Sequence, residues 1–294
     1  MAKVKVGDIV VRKSYNGDLY FKVLEIKGKT CKLKGLDVRL LADAPVDDLI
    51  IKSAEGIFLH RHEGIQHNKA KIDKIFVECA ECKLRYKEYY DITRSGGGKL
   101  TKGSDDSFFD VPGRVLHLDG DEEYLKKCLE NYRQLEVPVI GYHFPEENQP
   151  RVVQKLLKEY RPDILVLTGH DALIKGAKDY NDLKCYRNSK YFVEGVKKAR
   201  EINNDLDDLI IFAGACQSYY EELLRVGANF ASAPKRALIH AFDPVYLTAK
   251  IAYTPINETI RIKDIVAQTI TKEEGIGGVQ TRGKYRLGYP KTLY

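Results

Sequence analysis

From Pro112 onward, short apolar runs alternate with amphipathic stretches. Val115–Leu118, Val137–Tyr142, Ile164–Leu167 and Leu209–Phe212 are branched, apolar segments of strand length. Between and after them, apolar positions recur at helical spacing over about Glu122–Gln134, Gln149–Tyr160, Ser189–Ile202 and Ser218–Val226. Runs that are apolar at every position, rather than every second one, mark strands buried on both faces. Their alternation with helices predicts an α/β fold with a parallel sheet and helices on both sides. After Asn229 the pattern blurs, and Gly275–Tyr294 reads mostly as loop.

The first part of the chain follows another rule. Residues 3–52 read as short strands joined by tight turns, with Asn16-Gly17 a type I′ hairpin signal and Lys27-Gly28-Lys29 a second turn. This predicts a small SH3-like β-barrel over residues 1–52, for support or partner binding. Residues 53–110 hold His60, His62 and His67, read as solvated, then a helix around Ile72–Tyr90. A polar, Gly/Ser-rich stretch over Gly96–Asp106 reads as a flexible linker. Residues 111–294 form the α/β domain.

Composition narrows the class. The chain has 294 residues, with 48 Lys and Arg against 42 Asp and Glu, and a net charge of +6 spread along its length. That does not argue for a nucleic-acid partner, and no aromatic-plus-basic cluster stands out. No apolar run approaches the ~20 residues that span a bilayer. The start, Met1 to Asp8, alternates charged and apolar residues and lacks a signal-peptide core, so a cytoplasmic location is expected. The six cysteines are expected as thiols. Cys79-x-x-Cys82 has no second pair at metal-ligand spacing, so neither a metal nor a cofactor is expected.

Two strands end alike. Ile164–Leu167 runs into Thr168-Gly169-His170-Asp171, and Leu209–Phe212 runs into Ala213-Gly214-Ala215-Cys216. In parallel sheets, ligands bind beyond the carboxyl ends of the strands. A cysteine there becomes nucleophilic when an imidazole or a helix N-terminus favours its thiolate. Cys216 is therefore the candidate nucleophile and His170 its acid–base partner. Backbone N–H groups around Gly169, Asp171 and Ala215 are candidate oxyanion donors. Singly, a cysteine or histidine after a buried strand is more often packing; the matched placement raises both. Their spacing is close to the caspase-like arrangement, a histidine roughly 50 residues before an Ala-Cys pair. His170-Asp171 departs from the usual His-Gly. Two other classes stay open. Gly214-Ala215-Cys216-Gln217-Ser218 loosely fits a nucleophile elbow of an esterase or amidotransferase-like hydrolase, with His240 as its histidine. Asp119 and Asp121 after the first strand fit a receiver-like regulatory binding protein.

Longer blocks point further. Val115–Asp121, Arg161–Asp171, Phe212–Ser218 and Gly227–Ser232, with Val6–Tyr15 near the start and Gly277–Gly283 near the end, resemble the YabG sporulation peptidase family. The likeness covers nearly the whole chain and is weakest over residues 53–110. It implies a caspase-like cysteine endopeptidase of the mother cell of a sporulating bacterium, acting on spore coat and cortex-associated proteins at arginine. Arginine specificity needs a buried anion, because a carboxylate meets a guanidinium with two parallel hydrogen bonds. Asp119 is the favoured pocket residue, with Asp121 and Asp243 as alternatives. Self-cleavage is expected in the linker after Arg94, with Arg61 and Arg85 as other sites.

Overall fold

Phe21–Val23 and Thr30–Leu33 alternate apolar and polar positions, which buries one face of a sheet. In the computed structural model, which describes residues 3–60, helical positions scattered between 62 and 84, and residues 108–177 and 179–290, they lie in one antiparallel sheet. Its strands are β1 (Ile9–Arg12), β2 (Phe21–Lys27), β3 (Thr30–Gly35), β4 (Leu41–Pro45) and β5 (Leu49–Ile51), in the order β4-β3-β2-β1-β5. Val10, Phe21, Val23, Cys31 and Leu33 pack its core. The expected turns fall where the backbone is left-handed, at Asn16 (φ 54°), Gly17 (φ 70°) and Gly28 (φ 58°). A 3-10 turn over Lys13–Tyr15 makes the first connection longer than a two-residue hairpin.

The second sheet is the expected parallel one. After β6 (Phe109–Val111) come β7 (Val115–Asp119), α1 (Glu122–Gln134), β8 (Val139–His143), α2 (Gln149–Tyr160) and β9 (Ile164–Thr168). Then follow α3 (Ser189–Ile202), β10 (Ile210–Ala213), α4 (Tyr220–Arg225), β11 (Phe230–Ser232) and α5 (Asp243–Tyr253). The order is β13-β11-β10-β9-β7-β8, where β13 (Ile276–Gly278) is an antiparallel edge and the others run parallel. Successive strand residues feed opposite faces. Val115, Val166, Ile210 and Phe212 pack with Cys128 and Tyr132 of α1 and with α5. Leu116, Leu165, Leu167 and Ile211 pack with Val153 and Leu157 of α2 and Phe192 and Val196 of α3. Each fully buried side chain of this size contributes about 1.5–3 kcal/mol.

Several expectations need correction. The C-terminal stretch is not mostly loop: β13, β14 (Thr281–Arg282) and β15 (Arg286–Gly288) lie in it. They pair with β11, with β12 (Thr259–Ile260) and with β6, respectively. Its glycines serve close approach; a Cβ at Gly278 would lie 2.3 Å from the Asn229 carbonyl oxygen. Just after the Gly96–Asp106 stretch, which lies outside the described residues, Phe109 and Asp110 are in β6. Helical structure begins at residue 54, well before Ile72. His60 is not simply solvated: its ring stacks on Tyr20 at 4.0 Å and its Nε2 lies 2.5 Å from Asp37. Helix α5 went unread because ten of its eleven residues are buried, which removes the polar face that marks a helix in sequence. Cys79, Cys82, His67, Arg61, Arg85 and the stretch around Arg94 lie outside the described residues. Among the described residues no helix is long and apolar enough to cross a membrane.

Gly278→Val is expected to cost about 1–3 kcal/mol, because backbone must shift to admit the side chain. A thermal melt of the variant beside the wild type measures it.

Candidate active site

Register fixes the geometry. Asp119 at the end of β7 stands opposite Thr168 of β9, and Leu167 stands opposite Ala213 of β10. Gly120-Asp121, Gly169-His170-Asp171 and Gly214-Ala215-Cys216 therefore leave the sheet at one edge. The Glu146 carboxylate lies across the first two exits. A Cβ on Gly120 would sit 2.2 Å, and one on Gly169 2.3 Å, from its Oε1. That oxygen accepts the His170 backbone N–H at 2.7 Å.

The turn carrying Cys216 is held from several sides. Gly214 has φ 108° and Gln217 φ 55°, so the chain reverses around Ala215-Cys216. The Ser218 hydroxyl accepts the Ala215 N–H at 2.9 Å and donates to Asp171 Oδ2 at 2.9 Å. Asp171 also accepts from Ser189 Oγ at 2.5 Å and from the N–H groups of Ala172 and Asn188 at 2.8 Å each. One buried carboxylate thus ties the loops after β9 and β10 to the start of α3. Burial pushes Asp171 up to about 6, against the pull of these hydrogen bonds. Burial likewise pushes the Cys216 thiol up to about 12, opposed by the Ile239 N–H, which lies 3.2 Å from Sγ.

His170 is buried. Its ring stacks on Tyr124 at 5.3 Å, and its Nε2 has no hydrogen-bond partner and lies 3.7 Å from Asp121 Oδ2. Burial lowers its pKa to about 4; Asp121 and Asp119 pull it upward, while Arg39 and Lys34 push it further down. At neutral pH this arrangement holds a neutral imidazole and a neutral thiol.

The cleft between these loops is occupied by the tip of the β3–β4 hairpin. Arg39 N–H donates to the Ile239 carbonyl at 3.2 Å, and Ala241 N–H donates to the Asp37 carbonyl at 2.9 Å. On the other side, Leu41 N–H donates to the Asp171 carbonyl at 3.4 Å. The Arg39 carbonyl accepts two N–H groups, from Cys216 at 3.2 Å and Asp171 at 3.4 Å. Its side chain is fully buried and forked onto Asp119, with Nη1–Oδ1 at 3.0 Å and Nη2–Oδ2 at 2.9 Å. The Ala241 carbonyl accepts from Nη2 at 3.0 Å and Nε at 3.2 Å, and the guanidinium lies 5.2 Å from the Tyr124 ring centre. Burial alone would raise the Asp119 pKa; the Arg39 charge and His117 outweigh it and hold the carboxyl far below its usual range.

The other candidates have partners of their own. Asp121 caps α1 through the Tyr124 N–H at 3.0 Å and pairs with Lys34 at 2.6 Å. Asp243 accepts from Thr271 Oγ1 at 2.5 Å and from the Ile270 and His240 N–H groups at 2.6 and 3.0 Å. The His240 ring packs edge-on to Phe242, and its Nδ1 accepts the Phe242 N–H at 3.2 Å. His117, Asp119 and Cys128 cluster closely enough to hold a metal ion, but the Arg39 guanidinium already lies against Asp119 and 3.5 Å from Cys128 Sγ.

The chain matches the YabG peptidase U57 family over residues 5–290. It is 43% identical over 291 residues, 97% of this chain and 98% of the relative, to the "Sporulation-specific protease YabG" of Bacillus subtilis (strain 168). The chain belongs to the YabG peptidase family. No solved structure matches it.

At this candidate site of a YabG-family chain, sequence reasoning missed Arg39, Tyr124, Glu146, Ser189 and the role of Ser218 in holding the turn. Only Arg39 left a signal, a lone cation in the apolar run Val38-Arg39-Leu40-Leu41. The depressed His170 pKa has a measurable consequence. The folded state binds fewer protons here than the unfolded chain, so this contribution to stability is lost as pH falls from 6.5 towards about 4. Asp171, raised to about 6, acts in the opposite direction in any variant that keeps it. His170→Gln should therefore show a smaller fall in Tm than the wild type between pH 7 and 5; an equal fall would contradict the assignment.

Proposed function

We propose that this peptidase is a sporulation-specific cysteine endopeptidase that cleaves after arginine, with Cys216 as nucleophile and His170 as general acid and base. One observation carries the reading: an arginine side chain forks onto Asp119 while its own carbonyl oxygen lies between the N–H groups of Cys216 and Asp171. A substrate arginine would occupy the same place. Asp119 supplies the buried anion for a guanidinium, and two parallel hydrogen bonds select arginine over lysine. Because the thiol and the imidazole are both neutral when the cleft is filled, the thiol yields its proton to His170 as it attacks. The oxyanion then develops between the two N–H groups. Losing one such donor typically costs about 10²–10³-fold in rate.

The reading extends to the catalytic region being caspase-like over residues 111–294, with an SH3-like barrel over 1–52 before it. The parallel sheet and the five-stranded antiparallel sheet support that division. It requires no cofactor. The relative's name supports a role in sporulation, and the proposed substrates are spore coat and cortex-associated proteins in the mother cell. Self-processing belongs to the same reading; Arg94, the linker candidate, lies outside the described residues.

Purified protein incubated with an arginine-containing unfolded protein, followed by mapping of the new termini, tests this. Cys216→Ala should abolish cleavage, and full turnover by that variant would end the mechanism. His170→Ala should lower turnover by at least about 10²-fold. Asp119→Asn should lower kcat/KM at arginine by about 10²–10³-fold, since it unpairs a buried guanidinium.

A further inference from the structure

We propose that the Arg39–Leu40 bond is this peptidase's own first substrate, presented to the cleft by the β3–β4 hairpin. The proposal rests on the cysteine-peptidase reading above and names where that chemistry first acts.

A purely structural arginine needs only its anion. Arg39 has Asp119, and it also has a backbone bound on both sides. Residues 37–39 pair with the segment 239–241 on one wall, through the Val38–His240 bridge and the two hydrogen bonds that flank it. Residues 40–41 pair with Asp171 on the other wall, where Leu40 bridges in parallel register. Addition of a strand to an exposed edge, with a side chain in a pocket, is how extended peptides are commonly bound. The carbonyl that would be attacked is the one whose oxygen the Cys216 and Asp171 N–H groups share. Those contacts, 3.2 and 3.4 Å, are long for a resting carbonyl and leave room to shorten as negative charge develops.

The chemistry balances without an added reagent except water. Cys216 Sγ transfers its proton to His170 and bonds to the Arg39 carbonyl carbon. The Arg39–Leu40 C–N bond breaks as His170 returns that proton to the Leu40 nitrogen, leaving a thioester. Water then adds to the thioester carbon, Arg39 gains a carboxylate, and Cys216 recovers its thiol. Tethering makes the step unimolecular, which favours this bond over any bond in a separate chain.

The cut would not release the N-terminal piece at once. β3 stays paired to β4 from Thr30–Pro45 to Lys34–Leu41, and β1 stays paired to β5, across the break. The two pieces, 1–39 and 40–294, should therefore co-purify under native conditions and separate on denaturation. What changes is the pocket: a guanidinium on a free chain end can leave Asp119, where one held at both ends cannot.

The test is intact mass and N-terminal sequencing of denatured full-length protein, wild type beside Cys216→Ala and Arg39→Gln, with an arginine-containing unfolded protein added to each. The wild type should yield a chain that begins Leu40-Leu41-Ala42; this terminus should be lost in both variants. Because Cys216→Ala changes little packing, it decides the matter even if Arg39→Gln folds poorly. Wild type that cuts the added protein after arginine but keeps its own residues 39 and 40 joined overturns the inference and leaves the proposed function standing. A Leu40 terminus of equal yield in Cys216→Ala also overturns it. Failure of the wild type to cut either target removes the cysteine-peptidase reading and this inference with it.

Discussion

A guanidinium and a carboxylate that are both out of water persist only while each satisfies the other, since the desolvation of either is worth several kcal/mol. Arg39 and Asp119 do this between two sheets: one residue is at the tip of a hairpin in the first, the other at the end of a strand in the second. Neighbouring contacts follow from that pairing. Lys34, on the same hairpin, meets Asp121, and the Tyr124 hydroxyl reaches back to the Gly35 and Val38 carbonyls at 2.5 and 3.1 Å. Helix α1 is thereby fixed against the hairpin, and the Tyr124 ring lies against both His170 and Arg39. Withdrawal of the arginine would leave a buried anion, so the pair fixes how the hairpin sits in the cleft.

The second constraint is Asp171. Its carboxylate gathers hydroxyls from Ser189 and Ser218, while its backbone N–H points at the Arg39 carbonyl. The same residue therefore sets the Cys216 turn and supplies one of the two N–H groups that meet that carbonyl. In the familiar His-Gly arrangement only backbone is supplied at this position; here a side chain buttresses that backbone. The departure that sequence made awkward has a physical role in the fold.

Much of the fold was legible because parallel strands and amphipathic helices leave strong periodic marks. Val115–Leu118 and Ile164–Leu167 announced themselves as buried strands, and the register of β9 against β10 brings His170 and Cys216 to one edge, as matched strand ends imply. The strand-end position of Asp119 was legible, but its partner was not. Helix α5 was hidden by being buried all round. The tail strands were hidden by glycines that serve close packing rather than turns. Arg39 was hidden for a different reason: its partners are distant in sequence, and nothing local in a hairpin says that its tip enters another sheet's cleft.

Glu146 lies over two strand exits, filling space that any side chain at Gly120 or Gly169 would need, and its oxygen holds the His170 backbone. The three positions act as a single volume shared among separate stretches of chain. A lineage that enlarges either glycine must shorten the acid, and in doing so it releases the histidine loop. Variation at the three sites is therefore expected to be joint.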